Sequence, residues 1–109
     1  MKDMTLREVC CAADVSRRAV QGYEKAELIA ASGKNERGYL LYDKYSLERI
    51  KRIKFFQQIG FTIREIKEVI DAPSDVLKAA TEKRVEELKE EKLQIEYLIN
   101  KAIELIKML

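Results

Sequence analysis

The sequence predicts a mainly α-helical protein: several short helices around a small β element, then one long helix. Three observations predict it. Charged residues fill 37% of the 109 positions and apolar ones 47%, with Lys, Glu, Leu and Ile abundant, a balance that suits helices with long solvated faces. One proline and four glycines are too few for the frequent turns of a sheet sandwich. Apolar residues recur at steps of three and four along most of the chain, and beyond Pro73 neither Gly nor Pro occurs again, which is the pattern of helices and of one long helix at the end.

The elements are justified in chain order. Leu6, Val9 and Cys10, followed by Ala12 and Ala13, fall at helical spacing, so residues 5–12 form a first helix with Thr5 near its start. Asp14-Val15-Ser16 supplies a turn, and the Ser16 hydroxyl caps a second helix from about Arg17 to Lys25 by accepting from its free amides. Val20, Tyr23 and Leu28 continue the apolar stripe. Two short helices separated by three or four residues make a helix-turn-helix, whose second helix presents its N-terminal side chains to a DNA major groove. Arg17 and Arg18 stand at that N-terminus.

Residues 30–38 carry loop chemistry and lead into Tyr39-Leu40-Leu41-Tyr42, a strand-like run, so loop and strand together read as a wing. Asp43 caps a third helix through Leu47, Ile50, Ile53 and Phe56, which Gly60 stops. Thr62-Ile63-Arg64-Glu65 is a capping box that opens a fourth helix through Ile66, Val69 and Ile70. Ala72-Pro73-Ser74 ends it, with Ser74 able to cap a further helix. The predicted organisation is a winged helix-turn-helix domain over 1–72, a linker and helix start over 73–80, and a dimerisation helix over 81–109. In that helix Val85, Leu88, Ile95, Ile99, Ala102, Ile106 and Leu109 keep to alternating steps of three and four, with Lys92 as the one polar position of the seam. Twenty-nine residues of helix span roughly 44 Å, and a 3.5-residue seam pairs with another helix. The plainer reading is a surface helix folded back on the body, but Ile103 and Leu105 widen the apolar surface, and uncovered they are an association liability.

Composition excludes several chemistries. There is no histidine, so imidazole acid–base catalysis and His metal ligation are absent. Cys10 and Cys11 are adjacent; they read as small apolar helix residues and as thiols of a reducing compartment. No Gly-rich phosphate loop occurs, and Glu86, Glu87, Glu90, Glu91 and Glu96 read as the solvated face of the long helix. No enzyme activity, metal or cofactor is expected. Apolar runs reach only four or five residues, so no signal h-region or membrane span is present and a soluble, cytoplasmic protein is expected. The net charge of +2 hides an asymmetry: residues 1–60 hold 12 Lys/Arg against 8 Asp/Glu, and 61–109 hold 9 against 11. The basic clusters are Arg17-Arg18, Lys34 with Arg37, and Arg49, Lys51, Arg52 and Lys54, which suit a polyanion or simply a solvated face.

Taken together, these motifs resemble the MerR family of bacterial transcription regulators over residues 4 to about 72. The carrying residues are Thr5-Leu6-Arg7-Glu8-Val9, Asp14-Val15-Ser16-Arg17-Arg18, Tyr23-Glu24, Leu28-Ile29, Gly38-Tyr39 with Leu41-Tyr42, Ile53-Lys54-Phe55-Phe56, and Ile59-Gly60-Phe61-Thr62 with Glu65-Ile66. The resemblance implies a winged helix-turn-helix and a long helix pairing antiparallel in a homodimer. It also implies a pseudo-palindromic promoter site, distorted by bending and underwinding, where RNA polymerase is affected indirectly. The candidate DNA-binding residues are Thr5, Ser16, Arg17, Arg18, Tyr23, Lys34, Arg37 and Tyr39, with Tyr23 equally suited to the core. The candidate dimerisation residues are Val85, Leu88, Lys92, Ile95, Ile99, Ala102, Ile106 and Leu109. The chain departs from the family pattern at Gln21 and Gly22, where Arg and Tyr are usual, at Leu40, where Arg is usual, and at Ala30 and Ala31, which replace loop prolines. Family effector sites lie after the dimer helix or in an added domain, so no effector pocket is expected before Leu109. The alternatives are a repressor or DNA-organising protein without effector sensing, which the lost contacts would suit, and a coiled-coil adaptor, which leaves the helix-turn-helix and wing unexplained.

Overall fold

The structure is a computed structural model that describes residues 2–109, in two compact units, one ending at Glu68 and the other running from Val69 to Leu109. The elements in chain order are β1 (Met4–Thr5), α1 (Leu6–Ala13), α2 (Arg17–Lys25), β2 (Gly33–Lys34), β3 (Leu40–Tyr42), α3 (Lys44–Gln58), α4 (Ile63–Val69) and α5 (Ser74–Met108). The protein is therefore mainly helical, with a small wing sheet and a long last helix, as the sequence predicts.

The helix starts are set by side-chain oxygens that accept from otherwise unbonded first-turn amides. Ser16 Oγ accepts from Ala19 N at 3.0 Å, and Asp43 Oδ1 accepts from Ser46 N at 2.8 Å. Thr62 and Glu65 form the predicted reciprocal box, with both bonds at 3.1 Å. A second box, not anticipated, opens α1: Glu8 N donates to Thr5 Oγ1 at 3.3 Å and Thr5 N to Glu8 Oε1 at 3.0 Å. The Thr5 amide holds the Glu8 carboxyl below its ordinary pKa, because a bond donated to the charged form favours it. At α5 the cap position falls on Pro73 and no side chain caps it. Ser74 thus takes the first helical position instead of capping, and residues 74–80 are the first turns of the helix.

The three strands form one antiparallel sheet in the order β1-β3-β2. Met4 faces Tyr42 and Thr5 faces Leu41 on one side of β3; on the other, Gly33 faces Leu41 and Lys34 faces Leu40. Two of these strands are two residues long, too short for an alternating pattern to reveal them.

The core of the first unit gathers one face from each element: Val9 and Ala13 of α1, Val20 and Tyr23 of α2, Leu28 and Ile29 after it, Tyr42 of β3, and Leu47, Ile50, Ile53 and Phe56 of α3, with Phe61 and Ile66 beyond. Phe61 meets Phe56 edge-on at 5.6 Å between ring centroids, a favourable aromatic geometry. Polar side chains of α3 tie down the segments that precede it. Gln57 accepts from the Tyr23 hydroxyl at 2.6 Å, Arg49 Nε donates to Leu28 O at 2.5 Å, and Lys54 Nζ donates to Asp14 O at 2.6 Å. The Tyr42 hydroxyl donates to Glu24; burial and then that carboxylate push its pKa above the ordinary tyrosine range.

The end of α2 holds a conformational cost. Glu27 has φ 63°, and the chain closes there through Leu28 N donating to Tyr23 O and Glu27 N to Glu24 O, both at 2.9 Å. This is the left-handed helix-end turn that glycine fills without a Cβ penalty. Glu27→Gly should therefore raise unfolding free energy by about 0.5–1 kcal/mol, read as a higher urea midpoint with an unchanged slope; a lower midpoint would show that the Glu27 side chain contributes more than its backbone costs.

Candidate nucleic-acid interface

The candidate interface begins at the N-terminus of α2, whose position is fixed by the Ser16 cap and by the burial of Val20 and Tyr23. With that face closed, Arg17, Arg18, Gln21, Gly22 and Lys25 are exposed. Neither Arg17 nor Arg18 makes a hydrogen bond or ion pair among the described residues, so both guanidinium groups, with five donors each and a fixed charge, are available. Gln21 likewise has no partner among the described residues. Gly22 sits in mid-helix, where glycine costs about 1 kcal/mol relative to alanine, and a Cβ added there would meet nothing within 4 Å.

Tyr23 takes the core option. It is 3% exposed, and its hydroxyl proton is spent on Gln57, so this side chain braces α2 against α3. Ser16 and Thr5 are both engaged as helix caps through their side-chain oxygens. Their hydroxyls position α2 and α1 respectively.

The wing brings together the three remaining residues. Lys34 lies on β2 opposite Leu40, and Arg37 and Tyr39 lie in the connection; all are exposed. Asn35 organises that connection: its Oδ1 accepts from both Arg37 N and Tyr39 N at 3.0 Å, and its backbone N–H donates to Tyr39 O at 2.9 Å. Gly38 adopts φ +82°, a conformation that suits glycine. The Asn-Glu-Arg-Gly run was the available signal for this turn, since asparagine bonds its own backbone and glycine supplies positive φ.

The third basic cluster does not form one surface. Lys54 is bound to the carbonyls and side chain of the Asp14 turn, and Arg49 to Leu28 O. Lys51 pairs with Glu48 at 3.6 Å, and Arg52 lies over the Phe56 ring at 5.8 Å. The Arg49 and Lys54 partners stand 21 and 41 residues away, so composition gave no sign that these two charges were committed internally.

Cys10 is half-buried and Cys11 exposed, both as free thiols; burial pushes the Cys10 thiol upward in pKa, away from thiolate chemistry. Among the described residues no group of three His, Cys, Asp or Glu is placed to hold a metal ion. Among the described residues no helix is long and apolar enough to cross a membrane.

In the second unit, no residue of α5 is buried. Along the predicted seam Val85 is exposed, as are Lys92, Ile95, Ile99, Ala102, Ile106 and Leu109, while Leu88 is half-exposed. Ile95 shows 58% of its surface and Ile106 68%. Arg84 pairs with Glu91 at 3.0 Å and Glu87 at 3.8 Å along the polar side.

Comparison with known proteins agrees with this geometry. The family described as MerR HTH family regulatory protein matches residues 4–73, and a second, described as MerR, DNA binding, matches residues 47–108. The HTH-type transcriptional activator mta of Bacillus subtilis is 36% identical over 94 residues, covering 86% of this chain and 37% of that protein. The crystal structure of MtaN, the N-terminus of the Bacillus subtilis multidrug transporter activator, is 34% identical with a TM-score of 0.73, covering 91% of this chain and 93% of that one. A MerR family transcriptional regulator from Bacillus cereus superposes with a TM-score of 0.76 at 27% identity, over 91% of this chain and 76% of that one. The chain thus spans well under half the length of the curated mta protein that it matches. With both family descriptions satisfied and the fold shared, this chain belongs to the MerR family of helix-turn-helix regulatory proteins.

Proposed function

We propose that this chain is a sequence-specific, DNA-binding transcription regulator that binds a pseudo-palindromic promoter as a homodimer and distorts it, affecting RNA polymerase through the altered DNA. The observation that carries the reading is α2: its inner face is closed by Val20 and Tyr23 while Arg17 and Arg18 stand exposed at a capped N-terminus. A capped helix start of this kind reaches base edges in the major groove, and the wing residues Lys34, Arg37 and Tyr39 suit the neighbouring sugar-phosphate backbone, which positions without reading sequence. Thr5 and Ser16 support the interface as caps. The relatives named as transcription regulators support the same assignment. Footprinting on DNA near its own gene tests it, with no protection as the result against it.

The homodimer rests on α5. Its seam of Val85, Leu88, Lys92, Ile95, Ile99, Ala102, Ile106 and Leu109 finds no burial within one chain, and a 3.5-residue repeat is covered by a partner helix. Antiparallel pairing places the two copies' α5 N-termini at opposite ends of the pair, and two-fold symmetry implies an inverted-repeat site. Residues 81–109 serve as the dimerisation helix and the segment up to residue 72 as the DNA-binding domain.

A second reading, a repressor or DNA-organising protein, is favoured by one observation. Gln21, Gly22 and Leu40 are exposed and uncharged where phosphate contacts are expected, which reduces backbone grip. In vitro transcription on the footprinted fragment separates the two by the sign of the effect.

Three outcomes are expected. The Arg17→Ala, Arg18→Ala double variant should lose about 1–3 kcal/mol of binding for each base-reading arginine, with relaxed preference at that base pair; unchanged affinity removes the assignment. Each phosphate neutralised adds about 0.9 to the slope of log affinity against log salt, so Arg37→Ala should flatten the slope of the dimer by nearly two units. In sedimentation at micromolar concentration the wild type should be dimeric, Ile95→Asp monomeric because it buries an unpaired charge, and Lys92→Leu at least as stable a dimer as the wild type; a monomeric wild type would sink the dimer.

A further inference from the structure

The exposed face of α2 extends past its basic start. Gln21 lies four residues after Arg17 and three after Arg18, which stacks it on the same face about 6 Å further along the axis. Gly22 lies beside it, and two reasons for a helical glycine are absent. Its backbone does not have positive φ, which is found among glycines only at Gly38 and Gly60. Nothing within the chain approaches the place of its Cβ to within 4 Å. An alanine would fit and would favour the helix. The remaining reason for a glycine is a surface that meets this face from outside.

We propose that Gln21 reads an adenine in the major groove and that Gly22 is the relief that lets the backbone of α2 come close enough for it to do so. The proposal rests on the DNA-binding reading above and extends base recognition from the first turn of α2 into the second. The chemistry of the side chain favours a base over a phosphate. An uncharged amide gives a phosphate one ordinary hydrogen bond, whereas on adenine its oxygen accepts from the N6 amino group while its NH2 donates to N7, a matched pair. Glutamine is shorter than arginine, so this pair needs a closer helix than Arg17 and Arg18 do. A missing Cβ at the neighbouring exposed position supplies that closeness, and the free Gln21 amide breaks no bond within the protein to make the contact.

The test selects binding sequences from a randomised duplex library with the full chain and with its Gln21→Ala and Gly22→Ala variants, alongside thermal melting by circular dichroism. The wild type is expected to select an inverted repeat with an A·T pair at a fixed place in each half-site. Gln21→Ala is expected to lose preference at that pair alone, by on the order of 5- to 150-fold, with the remaining positions retained. Gly22→Ala is expected to melt at a higher temperature and yet to bind the selected site about tenfold or more weakly, an opposition that a purely structural role for Gly22 does not produce. Selected sequences identical for Gln21→Ala and wild type, or undiminished binding by Gly22→Ala, overturn the proposal and leave the DNA-binding reading standing. A wild type that selects no sequence overturns both.

Discussion

The presentation of α2 depends on the buried face of α3. Helices of eight and nine residues do not hold together in water by themselves, because nucleation fixes several residues for each hydrogen bond gained. α1 and α2 have those lengths, so their shape is borrowed from the surfaces they pack against. Leu47, Ile50, Ile53 and Phe56 supply one continuous apolar face of a fifteen-residue helix, and Val9, Ala13, Val20 and Tyr23 close on the same core. The Tyr23–Gln57 hydrogen bond then fixes the rotation of α2 about its axis. A helix that displays arginines on one side must be held by the other.

Electrostatics reinforces that packing at the helix ends. The last carbonyls of α1 have no partner within the helix and carry the negative end of its dipole. Lys54 brings an ammonium to Ala13 O and Asp14 O, which satisfies donor and charge requirements together. Arg49 does the same for Leu28 O, just past α2. These are the two turns that set the angle between α1 and α2 and the exit toward the wing. A positive charge committed in this way is withdrawn from the surface, whereas Arg17, Arg18, Lys34 and Arg37 stay exposed with no side-chain hydrogen bond or ion pair among the described residues.

The range of each interaction decides how much of it could be read from sequence. Caps act within three residues, and Ser16, Asp43 and the Thr62–Glu65 box stand where their spacing puts them. The Thr5–Glu8 box had the same spacing and was equally legible as a pattern. Heptad steps in α5 were visible because they repeat for more than twenty residues. The Lys54 and Gln57 contacts span 34 to 41 residues, and nothing local distinguishes an internal lysine from a solvated one. Strands of two residues carry no period. Tyr23 was ambiguous for a different reason: a tyrosine on an apolar stripe has a body suited to the core and a tip suited to a phosphate, and only a partner such as Gln57 decides between them.

The two units pose opposite physical problems. The first has a closed core and an exposed polar face, which is stable in water. α5 is unfinished: thirty-five residues of helix with none buried leave Ile95, Ile99, Ile103 and Ile106 in solvent, and such a stripe gains free energy as soon as another apolar helix covers it. In the proposed pair Lys92 would restrain that gain without abolishing it, because its methylenes could lie in the seam while the ammonium stayed in solvent. A polar break in an apolar seam also penalises shifted registers, in which it would face isoleucine instead of solvent. Under the function proposed above, pairing of α5 and recognition by α2 would depend on one another. A single α2 and a single wing offer few contacts, and in the proposed homodimer an inverted repeat would engage both copies.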